Sequence, residues 1–474
     1  MAEALTPDIC VIGGGPGGIA LASGAALNAV PVVLVERGRM GGANLTRGAL
    51  PSKALVSAAS TYEFLRRGPA LGVTGAPLQV NFAKVRDHIG SVAEAVAPNF
   101  SAERLTALGA TVIAGEARFT DRNTVTVGDI AIRARRFVIA TGVVLALPPI
   151  PGIEGVDCMT ADTAFDVTRK PNHLLVIGAN SRGLELAQSY NRLGVDTTVI
   201  DEARALADDD PELAAVVLDR LRAEGVRVRA GVKIAGVARR RGGIRVTVVE
   251  GEREIPVDGS HLLLATGKVP NVEGLGLDAA GIIYDRAGIS VDRQLRTTNR
   301  RVYAIGDVVA GAELAGRAEY QAERVLKAIL YRLPLRQDTD AVPAVTFTDP
   351  ALAKVGLSEV EADRRHNDIR VLRVPLIEND LAQVERMPAG LVKVVTTKKG
   401  RILGAAIVGH DAGEMIALWS LAIARRLDIG AMAAFVPPYP SRAEVARRVA
   451  ARFNGPGLTP PWRRRIIEFL RRFG

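Results

Sequence analysis

Short apolar runs recur along this chain, most of them ending at a glycine or an acid. Ile9–Ile12 after Asp8, Val32–Val35 before Glu36, Leu174–Ile177 before Gly178 and Thr197–Ile200 before Asp201 are each four residues long. That is the pattern of strands buried in a parallel sheet. Phe137–Ala140, Leu262–Ala265 and Val302–Ile305 repeat it. Ile19–Leu27 and Leu184–Gln188 follow glycine-rich turns and read as helices, as does Ala54–Leu65. Strand-and-turn sequence fills Phe119–Val127. From Val342 the pattern shifts to an antiparallel α+β type, with Val345–Pro350, Val355–Ser358 and Ile402–Gly409 as its clearest segments. At the far end, Gly455–Pro461 reads as a linker. After it, Trp462, Ile466, Phe469, Leu470 and Phe473 share one face at helical spacing, with arginines over much of the rest.

Two of the turns carry chemistry. Gly13-Gly14-Gly15-Pro16-Gly17-Gly18 fits G-x-G-x-x-G between a strand and a helix, and a second strand ends in Glu36. Gly13 and Gly15 allow the tight turn and the approach of backbone to a pyrophosphate, and Gly18 allows close helix packing. The helix N-terminus faces the phosphates and the acid accepts from a ribose hydroxyl. The second turn, Gly178-Ala179-Asn180-Ser181-Arg182-Gly183, leads through a similar unit to Asp201. Its middle glycine is replaced by Asn180, so backbone approach is expected to be less free there. Asp201 favours NADH over NADPH, with Arg204 leaving NADPH open.

Between the two turns lies Gly41-Gly42-Ala43-Asn44-Leu45-Thr46-Arg47-Gly48-Ala49-Leu50-Pro51-Ser52-Lys53. It resembles the active-site segment of the pyridine nucleotide–disulfide oxidoreductases, which reads Gly-Gly-Thr-Cys, four residues, Cys-(Ile/Val)-Pro-Ser-Lys. Asn44 and Ala49 hold the two cysteine positions, while Gly41, Gly42, Gly48, Pro51, Ser52 and Lys53 remain. The resemblance covers about residues 8 to 450. It includes Ala140-Thr141-Gly142, Ala265-Thr266-Gly267 and Gly306-Asp307, the last holding the ribityl chain of FAD in the family.

The resemblance implies an α/β fold with two Rossmann-like dinucleotide domains and a C-terminal α+β dimer-interface domain. The FAD domain would span 1–150 and 270–341, the NAD(P) domain 151–269 and the dimerisation domain 342–454; outside the resemblance, the terminal stripe predicts a basic amphipathic helix at 455–474. The resemblance also implies a homodimer, FAD and NAD(P)H as cofactors, Lys53 near flavin N5 and Glu185 as its ion-pair partner. Ser181 stands where many relatives have an aromatic gate over the nicotinamide site. In the family a His-Pro-Thr-x-x-Glu run supplies an acid–base histidine. Here Tyr439-Pro440-Ser441-Arg442-Ala443-Glu444 has lost the histidine together with the thiols and kept the glutamate. Tyr439 either donates a hydrogen bond to a bound carbonyl or fills the space of the lost ring.

The remaining composition narrows partners. Only Cys10 and Cys158 are cysteines, without CxxC or metal-ligand spacing, so no metal is expected. A net charge of +10 favours cofactor phosphates, acidic proteins or an anionic membrane. The arginines are scattered without a nucleic-acid-binding signature, so no nucleic acid is expected. No apolar run is long enough to cross a bilayer, and the N-terminus lacks the order of a signal peptide. The expected location is cytoplasmic. The terminal stripe either attaches the protein peripherally to the inner face of the cytoplasmic membrane or covers its own dimer domain.

The function expected is FAD-dependent transfer from NAD(P)H directly to a non-disulfide acceptor, a quinone at a membrane face. Two other readings stay open: a soluble transhydrogenase or diaphorase, and a catalytically silent flavoprotein that binds or senses.

Overall fold

The computed structural model describes residues 4–160, 162–311, 316–334, 341–453 and 461–473, with only the backbone described at 461–464. The expected linker at 455–461 falls almost wholly outside the described residues. The chain forms two units, Met1–Ala207 with Leu221–Gln337, and Asp208–Arg220 with Asp338–Gly474.

The first unit contains two parallel five-stranded sheets. In one, the strand order is Val302–Ala304, Arg136–Ile139, Ile9–Ile12, Val32–Glu36 and Thr111–Ala114. Ile9–Ile12 lies at its centre, flanked on both edges and covered on both faces, which is why all four of its residues are apolar. The helix that follows, Pro16–Leu27, starts with proline at its first turn, where the missing N–H costs nothing. It lies close against helix Arg317–Tyr331: a Cβ at Gly17 would sit 2.9 Å from that of Ala318, and one at Gly24 2.5 Å from Leu326. These two glycines let the helices approach to near-backbone distance.

The other sheet runs Met159–Thr160, His261–Leu264, His173–Ile177, Asp196–Asp201 and Arg227–Ala230. Beside it, Lys233–Arg240, Gly243–Glu250 and Arg253–Gly259 form an antiparallel meander that the sequence reading did not single out. Its middle strand buries Ile244, Val246 and Val248 in alternation, the period of a half-buried strand. A short antiparallel pair, Val143–Leu145 with Lys268–Pro270, joins the segments that follow Thr141-Gly142 and Thr266-Gly267.

The second unit is an antiparallel sheet in the order Ala344–Thr346, Ala351–Gly356, Ile402–Gly409, Leu391–Thr397 and Ile369–Pro375. Helices Ala412–Ala424, Ile429–Ala434 and Val445–Phe453 supply Trp419, Met432 and Val449 to its core. The last two strands in that order were not anticipated. Lys393 on one of them is buried, with Nζ 2.5 Å from Asp210, 2.6 Å from Glu359 and 3.3 Å from Glu212. Lys354 pairs with Asp209 and Arg373 with Glu212. The acidic run Asp208-Asp209-Asp210-Pro211-Glu212 is thus held to this sheet by three cations. Burial works against the Lys393 charge, but the bonds from Asp210 and Glu359 outweigh it and hold its pKa above the ordinary value.

Replacing Lys393 with methionine removes the buried cation shared by Asp210, Glu359 and Glu212. Removing one member of a buried ion pair costs about 3 kcal/mol. Lys393→Met should therefore lower the midpoint of urea unfolding clearly, whereas Lys398→Met, at an exposed pair with Asp368, should leave it nearly unchanged.

Candidate functional site

The first glycine turn is shaped by two contacts that exclude any side chain. Gly13 has φ +111°, and a Cβ there would lie 2.5 Å from the Ala140 carbonyl oxygen. A Cβ at Gly18 would lie 1.9 Å from the Gly13 carbonyl oxygen. Gly15 differs: its φ of −78° suits any residue, and a Cβ would meet no protein atom within 4 Å. The protein itself does not demand glycine at 15; space outside the backbone does. That space is a cavity of about 900 Å³ lined among others by Gly15, Glu36, Thr141, Gly142, Asn44 and Asp307.

Glu36 closes the turn at one side. Its Oε2 accepts from the Gly14 N–H at 2.5 Å and its Oε1 from the Gly38 N–H at 2.7 Å. Gly42 comes so near that its Cβ would be 2.9 Å from the Gly15 Cα. Across the cavity Thr141 Oγ1 donates to the Asn271 carbonyl at 2.8 Å, and Gly142 takes φ +64°. Gly306 takes φ +73° and starts a short turn that presents Asp307. Among the described residues no protein group donates a hydrogen bond to Asp307. Burial raises its pKa above the ordinary carboxylate value, with Arg317 and Lys268 pulling the other way. A half-buried acceptor without a protein donor, on the wall of a cavity, is suited to a ligand hydroxyl.

The second turn repeats the first nearly atom for atom. A Cβ at Gly178 would lie 2.5 Å from the Ala265 carbonyl oxygen, and one at Gly183 1.9 Å from that of Gly178. Asp201 Oδ2 accepts from Ala179 N–H at 2.5 Å and Oδ1 from Ala203 N–H at 2.8 Å. Arg204 donates to the Ala207 carbonyl at 2.8 Å. Gly267 takes φ +120°. Asn180 has the same backbone conformation as Gly15, but its side chain is held at both ends: Oδ1 accepts from Gly183 N–H at 3.0 Å and Nδ2 donates to the Ala265 carbonyl at 2.5 Å. The effect expected of Asn180 thus takes a specific form. It occupies one of the backbone donors that open a helix N-terminus to an anion.

The segment between the turns begins with Gly41 and Gly42 at positive φ and forms a short helix, Gly42–Thr46. The next helix runs Ala49–Arg67, starting five residues earlier than expected, with Gly48 as its cap. Asn44 is exposed and Ala49 half-buried. Lys53 and Glu185 meet as expected, at 2.6 Å, with Glu185 buried. Ser52 Oγ donates to the same carboxylate at 3.2 Å, and Ser181 Oγ lies 3.5 Å from its other oxygen. Arg182 Nη1 reaches the Gly48 carbonyl at 3.4 Å. Burial lowers the Lys53 pKa and Arg182 adds to this, while Glu185 opposes both. Ser52 and Arg182 were not among the expected site residues; a cation in the first turn of the second helix was the available signal for Arg182.

In the second unit Tyr439 is exposed and donates to Asp380 Oδ2 at 3.1 Å. That bond, and the charge behind it, raises the phenol pKa. Glu444 does not meet Tyr439; it accepts from Arg448 at 3.0 Å, and Arg448 also reaches Asp380 at 3.4 Å. Asp380 is 59 residues from Tyr439, and no local pattern pointed to it. Both cysteines are free: Cys10 lies in the central strand, where burial pushes its thiol up to about 12, and Cys158 is half-buried with its pKa also raised by burial. Among the described residues no cluster of side chains could hold a metal ion.

Comparison with known proteins follows this geometry. Residues 7–322 match the model of the pyridine nucleotide-disulphide oxidoreductases, and residues 342–450 match the dimerisation domain of the same proteins. The chain is 33% identical to a dihydrolipoyl dehydrogenase of Geobacillus stearothermophilus over 456 residues, 94% of this chain and 96% of that one. It is 32% identical to a mercuric reductase of Bacillus cereus over 448 residues, 93% of this chain and 70% of that one. Among solved structures, LpdA from Mycobacterium tuberculosis aligns with a TM-score of 0.86 at 27% identity, covering 94% of this chain and 99% of that one.

Three variants separate packing from binding. Gly18→Ala drives a methyl into the Gly13 carbonyl and should lower thermal stability, whereas Gly15→Val should keep the fold and lose dinucleotide from the first cavity, read as flavin content. Asn180→Gly frees the Gly183 N–H at a helix-cap cost of a few tenths of a kcal/mol. A hydrogen bond worth about 1 kcal/mol should then strengthen NADH binding by about fivefold, measured by calorimetry.

Proposed function

Because the chain belongs to the pyridine nucleotide–disulphide oxidoreductase family, whose members use FAD and NAD(P)H, we propose that it is an NAD(P)H:acceptor oxidoreductase that works without a thiol relay. The residues of the first cavity fit FAD. Gly13, Gly15 and Gly18 would seat its pyrophosphate, Glu36 and Asp307 would accept from its hydroxyls, and Gly42, Thr141, Gly142 and Gly306 would line its path. Bound there, FAD supplies a two-electron carrier between nicotinamide and acceptor. Gly178, Gly183, Asp201 and Gly267 would hold the nicotinamide dinucleotide, and Asp201 would set the preference for NADH, where a 2′-phosphate meets like charge.

The observation that carries the reading is the pair Asn44 and Ala49 on an otherwise preserved segment. An amide and a methyl have no thiol chemistry, and neither remaining cysteine lies on that segment. Both remaining thiols are held protonated by burial, so neither offers a ready thiolate. Lys53 brings its charge to the end of the segment, balanced by Glu185, and Arg182 leaves the group with excess positive charge. The acceptor we infer is one that takes a hydride directly and a proton separately: a quinone, met at a membrane face. Tyr439 gives its one O–H to Asp380, so it reaches a quinone carbonyl only by releasing that bond, and Glu444 steadies Arg448 behind it.

Anaerobic addition of NADH should give ordinary reduced flavin without the long-wavelength band of a thiolate beside flavin. A water-soluble quinone should then reoxidise it, while disulfides and Hg(II) should react no faster than with free flavin. Hydride exchange between NADH and an NADP analogue in place of quinone turnover would favour a transhydrogenase, and no flavin reduction by either nucleotide would favour a silent binding protein. A higher kcat/KM with NADPH than with NADH would overturn the role given to Asp201.

Asp307 adds a pH dependence. Hydroxyl donors stabilise its charged form, so its pKa falls when a flavin dinucleotide binds and protons are released. Flavin affinity should therefore rise with pH across the mildly acidic range above the ordinary carboxylate value, and Asp307→Asn should flatten that profile in fluorescence titrations.

A further inference from the structure

The last described element is helix Pro461–Leu470, which backbone bonds extend as far as Phe473. The apolar side chains described on it are exposed. Ile466 is 48% exposed, Phe469 58%, Leu470 59% and Phe473 74%, with Ile467 beside them at 53%. The rings of Phe469 and Phe473 meet edge to face with centroids 5.0 Å apart, so they form one surface and not two isolated residues. Single exposed hydrophobes are ordinary on a protein surface, but a contiguous patch on successive turns marks an interaction site. Of the two expectations for this stripe, cover by the helix's own unit is not met.

The charges around it indicate what covers it. Arg465, Arg471 and Arg472 border the described part of the stripe, the sequence places Arg463 and Arg464 one turn earlier, and Glu468 is the single acid. By helical spacing Arg465 and Arg472 fall on one flank of the stripe, and Glu468 falls away from its centre. Guanidinium groups on flexible stems beside exposed Phe, Ile and Leu are the arrangement of a helix lying in the plane of a lipid surface. There the apolar face enters the acyl boundary and the cations stay among the headgroups. No helix among the described residues is long and apolar enough to cross a membrane, so insertion stops at the surface. The chain's net charge of +10 adds attraction at longer range.

We propose that this helix docks the protein on the surface of an anionic phospholipid bilayer through Ile466, Phe469, Leu470 and Phe473. It deepens the reading of a quinone as acceptor and rests on that reading for its purpose, since a lipid-soluble quinone is met only there. In a homodimer two such helices act together, and their joint hold exceeds that of either alone.

The test uses the full-length flavin-loaded protein and co-flotation with vesicles. Phosphatidylglycerol-containing vesicles should bind it and phosphatidylcholine vesicles should not, with binding lost as salt rises. Phe469→Ser with Phe473→Ser should release it, and each of Arg465→Gln, Arg471→Gln and Arg472→Gln should weaken binding by about fivefold. Equal binding to both vesicle types, or binding untouched by the serine pair, would overturn the proposal. So would a change of oligomeric state in the serine pair by light scattering, which would assign the stripe to a protein partner. Turnover with a water-soluble quinone, without vesicles, should be unchanged in every variant. If wild-type protein binds vesicles but reduces no quinone, docking stands and the quinone reading falls.

Discussion

A methyl group that is missing twice determines where this protein can bind anything. Gly18 lies under the carbonyl of Gly13, and Gly183 under that of Gly178, at the same separation. Any side chain at either position would push the helix off its strand and open the turn. Because each helix can sit so low, its first amide points to the space beyond the strand, and the acid at the end of the next strand can reach back to tie the loop. Glu36 does this through Gly14 and Asp201 through Ala179, again at matching distances. The two binding sites therefore share one steric solution, and their differences are confined to single side chains placed on it.

Those differences carry the chemistry. At Gly15 the absent side chain is required by nothing in the protein, only by what occupies the cavity. At Asn44 and Ala49 the backbone still follows its glycines through positive φ and its capping turn, although the side chains for which relatives use it are gone. On the proposed function, a segment that keeps this conformation without its thiols retains a binding task and meets a different acceptor.

The parts legible from sequence were those whose physics is local. Four-residue apolar runs, glycine turns and terminal acids specify buried parallel strands and their loops, and these emerged within a residue or so of expectation. The head of the helix at Ala49 was missed because its cap is a glycine with no side-chain signal. Asp380 beside Tyr439 and the Lys393 cluster were missed for a different reason. Each joins polar groups far apart along the chain, and a lysine between valines reads as outward-facing until its distant carboxylates are known. The meander at Lys233–Gly259 was legible in its alternation, but it carries no motif to draw attention to it.

Asn180 imitates the ligand it adjoins. With its amide and carbonyl oxygen already satisfying Ala265 and Gly183, the second turn is as well bonded when empty as a glycine turn becomes only when filled. The free-energy gap between the vacant and occupied states narrows, and nucleotide leaves a loop that needs no rearrangement to close behind it. On the proposed function, such a loop exchanges tightness of hold on the nicotinamide nucleotide for speed of turnover.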